Sequence, residues 1–66
     1  MTTTTNHDRA DRAAKVILDY GQGTTRADHI DNLTDLLTDA MHWCVSIGYS
    51  FELCLLHARY HFDAEK

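Results

Sequence analysis

Apolar residues return every three or four positions in three separate stretches of the chain, the spacing of amphipathic helices. The first stretch predicts a helix over about residues 7–20, with Ala10, Ala13, Ala14, Ile17 and Tyr20 on one stripe. Thr5 or Asn6 can cap its start by accepting a bond from an unpaired backbone N–H, and Asp8 suits the positive end of the dipole. Gly21 is expected to close it in the left-handed conformation that glycine adopts without steric cost. The stripe is mostly alanine, so this helix can approach a neighbour closely but buries little area.

After a short connection, Thr25-Arg26-Ala27-Asp28 has the form of a capping box, with Asp in place of the usual Glu. A long second helix over about 26–47 follows. Its apolar residues Ile30, Leu33, Leu36, Leu37, Ala40, Met41, Trp43, Cys44, Val45 and Ile47 cover more than half the circumference. Asp31, Asp35, Asp39, His42 and Ser46 take the rest. Gly48 then serves as C′ residue and Ser50 as the next N-cap, giving a tight turn into a third helix over about 51–64. The polar sector of that helix is narrow: Glu52, Arg59 and Asp63, with Leu56 beside them. Phe51, Leu53, Cys54, Leu55, Ala58, Tyr60 and Phe62 are among the apolar and aromatic residues that fill the remainder.

A helix that is apolar nearly all round is normally buried on several sides, and a chain of three helices has too few neighbours to supply them. The expected fold is therefore all-α: a disordered tail over 1–5, then one three-helix domain over 6–66. The long central helix and the third form an antiparallel hairpin, and the first packs across it. Leu36, Trp43 and Ile47 on the second helix, with Leu53, Leu56 and Tyr60 on the third, are the expected interface of a homodimer or higher assembly.

Size sharpens the point. A domain of about 60 residues hides only about 60% of its unfolded surface and is marginal alone. Disulfides, a metal or a partner chain usually make up the difference. The 66-residue chain has a formal net charge of −4 and a pI near 5.6, with six scattered basic residues. That balance argues against a nucleic-acid or anionic-membrane partner, since both favour clustered Lys and Arg. No apolar run approaches the roughly 20 residues that span a bilayer. Met1 and the four threonines after it lack the basic start and apolar stretch of a signal peptide, so a cytoplasmic location is expected. Cys44 and Cys54 are then read as reduced thiols in a core.

Cys54, His57 and His61, at i, i+3 and i+7, share one face of the third helix and are a candidate zinc ligand set. The Glu that follows the first His of a zinc-protease helix is replaced by Ala58, and Asp39 and His42 project away from the hairpin. The same two histidines, one turn apart, would repel each other if both were protonated near pH 6, which could loosen an interface. Asp28, Asp31, Asp35 and Asp39 form an acidic ridge, either a docking surface for a basic partner or a solvated helix face. Carboxylates at this spacing can also clamp magnesium, as in small nucleotide pyrophosphohydrolases, although a second inward-facing Glu pair is missing. No P-loop or nucleophile motif is present, and Arg59 alone cannot make the third helix a DNA-reading one. Trp43 and Tyr49 are expected to serve core and hairpin packing rather than a ligand cage. Catalysis is not indicated.

The stretch Asn32-Leu33-Thr34-Asp35-Leu36-Leu37-Thr38-Asp39-Ala40-Met41-His42-Trp43-Cys44, then Gly48-Tyr49-Ser50-Phe51 and the run His57-Ala58-Arg59-Tyr60-His61-Phe62, resembles small helical accessory proteins of phages and mobile elements. The resemblance covers about half the chain. It implies a stand-alone, non-catalytic protein-binding module, such as an inhibitor that occupies the surface of a host defence complex in the manner of anti-CRISPR proteins. It carries no residue roles.

Overall fold

A computed structural model describes residues 6–65, and among these the chain forms three helices and no strand. They are α1 (Asn6–Tyr20), α2 (Arg26–Ile47) and α3 (Phe51–Glu65). The expected tail over 1–5, including the Thr5 cap, lies outside the described residues.

Local chemistry accounts for the helix boundaries. At the start of α2, Thr25 Oγ1 accepts from the Asp28 N–H at 3.1 Å, and Asp28 Oδ2 accepts from the Thr25 N–H, also at 3.1 Å. The Thr24 N–H donates to the same carboxylate oxygen at 3.2 Å. These bonds, the Thr25 backbone N–H first, hold the Asp28 carboxyl below its usual pKa. Gly23, at φ 101°, lets the loop fold over that carboxylate, which a Cβ at this position would overlap.

The α2–α3 turn is a Schellman motif. Gly48 sits at φ 72°, ψ 31°; its N–H donates to the Val45 carbonyl at 3.2 Å, and the Tyr49 N–H to the Cys44 carbonyl at 2.9 Å. Ser50 Oγ then accepts from the Leu53 N–H at 3.2 Å and caps α3.

Gly21 works differently from expectation. Positive φ among the described glycines is confined to Gly23 and Gly48, so Gly21 does not close α1 in the left-handed region. Its role is to leave room. The amide of Asn32 reaches from α2 and donates through Nδ2 to the Ile17 carbonyl at 3.1 Å. That carbonyl is one of the last four of α1, which the helix itself cannot satisfy. A Cβ on Gly21 would overlap Asn32 Oδ1. One buried side chain thereby ends α1 and fixes it to α2.

The helices enclose almost no core. Among the described residues only Cys44 and Asn32 are buried, at 4% and 5% exposure. Ile17, Asp28, His29, Leu36, Ala40 and Phe51 are half-buried, and no residue of α3 is buried. On α2 the inward stripe therefore runs His29, Asn32, Leu36, Ala40, Cys44, at helical spacing. It is narrow, and its members are mostly small or polar. The chain exposes 5759 Å², whereas a compact monomer of this mass exposes about 4,200 Å². Its radius of gyration is 13.7 Å, against about 11 Å for a close-packed domain of this length. The result is a slab of 34 × 33 × 19 Å.

Candidate protein-binding surface

Turning its small stripe inward obliges α2 to present its large side chains outward. Ile30, Leu33, Leu37, Met41, Trp43, Val45 and Ile47 are all exposed. Trp43 stands 61% exposed beside the hairpin turn, and Tyr49 is exposed within the turn. Neither belongs to the buried core.

The faces of α3 divide in a similar way. Cys54, Ala58, His61 and Glu65 lie at i, i+4, i+7 and i+11 on the side toward the other helices. Ala58, His61, Phe62 and Glu65 line a hollow of about 530 Å³ with Arg9 of α1. An ion pair between Arg9 Nε and the Glu65 carboxylate closes one side of it. On the opposite side, Leu53, Leu56 and Tyr60 face away from the chain, Leu56 at 62% and Tyr60 at 76% exposure.

Of the six residues predicted to form an interface, Trp43, Ile47, Leu53, Leu56 and Tyr60 are exposed and available. Leu36 is not. It is half-buried against α1, lining a groove of about 340 Å³ with Arg12, Val16, Ile17 and Leu33. Val16, Leu18, Ile30 and Val45, outside the expected interface, are exposed as well. No role was expected of Asn32. The signal for it in the sequence is a lone amide at the border of the apolar arc of α2, a residue type seldom buried unless it has a bonding task.

Two members of the acidic ridge have hydrogen-bond partners. Asp28 is half-buried and committed to the capping box, and Asp39 accepts a hydrogen bond from the Tyr20 hydroxyl. That bond, with the negative charge around it, raises the Tyr20 pKa above its ordinary value. Asp31, Asp35 and Asp39 are all exposed on α2.

The thiols part company too. Both are free, but Cys44 is buried and Cys54 is exposed, so only Cys44 is the core thiol expected. Burial, with Cys54 close by, pushes the Cys44 thiol up. Among the described residues no three His, Cys, Asp or Glu side chains converge to hold a metal ion. Cys54, His57 and His61 are therefore strung along α3 without forming a site, because residues seven apart stand about 10 Å from each other along a helix. His57 and His61 are both exposed.

Among the described residues no helix is long and apolar enough to cross a membrane. No protein-family model, curated protein or solved structure matches this chain.

Proposed function

We propose that this chain is a non-catalytic protein-binding module that works as a homo-oligomer, with a dimer as the smallest unit. The observation that carries the reading is the orientation of α2 and α3. Their small and polar residues face inward, while Trp43, Ile47, Leu53, Leu56 and Tyr60 face water. Exposed apolar surface on this scale is characteristic of association surfaces. Self-association can cover part of it and leave the rest for a different protein.

The resemblance to phage and mobile-element accessory proteins gives the biological form of the proposal, an inhibitor that acts by occupying a partner's surface. The zinc and magnesium alternatives gain no support, since they require converging ligands.

Affinity capture from the native host, with and without phage infection, tests the binding function. The expected result is one protein recovered in stoichiometric amount by the wild type and lost with Trp43→Ala. Recovery of no stoichiometric partner under either condition would overturn the binding reading.

A further inference from the structure

The outward face of α3 combines an apolar centre with a polar edge of two acids and one base, Glu52, Asp63 and Arg59. Leu53, Leu56 and Tyr60 are exposed at i, i+3 and i+7, and exposed Glu52 and Arg59 flank Leu56 along its edge. Glu52 and Arg59 are seven residues apart, about 10 Å along the helix, too far to pair with each other. In an antiparallel pairing of two such helices, however, their positions become complementary.

Placing Leu56 on the two-fold axis brings it against Leu56 of the second copy. The same register sets Leu53 beside Tyr60 of the other chain and Glu52 beside Arg59 of the other chain. All three pairings hold to within one residue of a single register, and symmetry repeats the ion pair on both sides of the axis. A parallel arrangement would instead oppose Glu52 to Glu52 and Arg59 to Arg59, like charge against like.

We infer that a second copy of this chain docks on α3 in antiparallel orientation, with the two-fold axis at Leu56 and two Glu52–Arg59 pairs across the seam. This inference rests on the homo-oligomer reading and specifies its interface. The seam buries the exposed side chains of Leu53, Leu56 and Tyr60. It leaves exposed Ile30 and Leu37 of α2 open to a different partner.

Sedimentation equilibrium on wild type, Glu52→Arg, Arg59→Glu and the double charge swap tests the register, with circular dichroism to confirm that each variant is helical. Each single change should weaken the dimer about tenfold, and the double swap should restore it to within about threefold of wild type. A second test does not depend on charge. Leu56→Cys, in a Cys54→Ser background, should be cross-linked by oxidised glutathione at least about tenfold faster than Thr34→Cys on exposed α2, because a residue on the axis lies within disulfide reach of its twin.

A monomeric wild type would overturn both this inference and the oligomer reading. A dimeric wild type whose folded double swap fails to recover, or whose Leu56→Cys variant cross-links no faster than Thr34→Cys, would overturn the α3 seam alone.

Discussion

Asn32→Ala removes the bond from Nδ2 to the Ile17 carbonyl and with it a buried polar tie between α1 and α2. A hydrogen bond of this kind contributes about 1 kcal/mol net, and leaving a shielded carbonyl without its donor adds a desolvation penalty of similar size. The expected loss is about 1.5–2 kcal/mol, which for a domain of this length lowers Tm by about 10 °C. Little apolar packing is lost with the amide, so a loss of this size would come from the bond itself. Thermal unfolding followed by circular dichroism measures it, at one fixed chain concentration because association shifts Tm. Hydrogen exchange should locate the weakening at the C-terminal turn of α1. Asn32→Asp should destabilise more at neutral pH, since a carboxylate cannot donate to the Ile17 carbonyl and would carry a charge into a buried position. A Tm within about 2 °C of wild type for Asn32→Ala would refute the assignment of Asn32 as the residue that ends and anchors α1.

Gly48→Ala should cost about 1 kcal/mol in denaturant unfolding, because its positive φ strains any Cβ even though nothing lies within 4 Å to clash with one. Gly21→Ala should destabilise by displacing the Asn32 amide, and should add little to Asn32→Ala when the two are combined, a non-additivity read from a double-mutant cycle. Asp28 has a folded-state pKa below its unfolded value, so its contribution is present above the unfolded pKa of about 4 and disappears as pH falls through the folded value. Asp28→Asn should flatten that acid limb of the stability curve. Tyr20 has the opposite sign: its raised pKa gives a contribution present below about pH 10 and lost as pH rises through the folded value, and Tyr20→Phe should remove this alkaline loss.

The helices were legible because their ends carry local signals. Thr25 and Asp28, Gly48 and Ser50 are read within a few residues of one another, and each makes the bond its type suggests. What the pattern could not supply was the rotation of α2 about its axis. A periodicity reading turns the largest apolar residues inward, but the rotation observed places Asn32, Ala40 and Cys44 there instead. That choice is consistent with two tertiary constraints. The alanine-rich α1 offers only a shallow surface, and the Asn32 amide must reach the Ile17 carbonyl across the gap left by Gly21. Leu36 lies on that same inward stripe and is half-buried. The acidic ridge looked continuous by spacing, yet Asp28 and Asp39 answer to hydrogen-bond partners outside the ridge. Trp43, Ile47, Leu53, Leu56 and Tyr60 are exposed because a chain this short has nowhere to put them.

Light scattering coupled to size exclusion, run on the full chain from about 1 to 100 µM, asks directly whether a second copy covers that surface. A folded species at twice the 7.5 kDa chain mass or a higher multiple, falling toward the monomer on dilution or with Leu56→Asp, is the expected result. A cooperatively folded 7.5 kDa monomer throughout that range would contradict it.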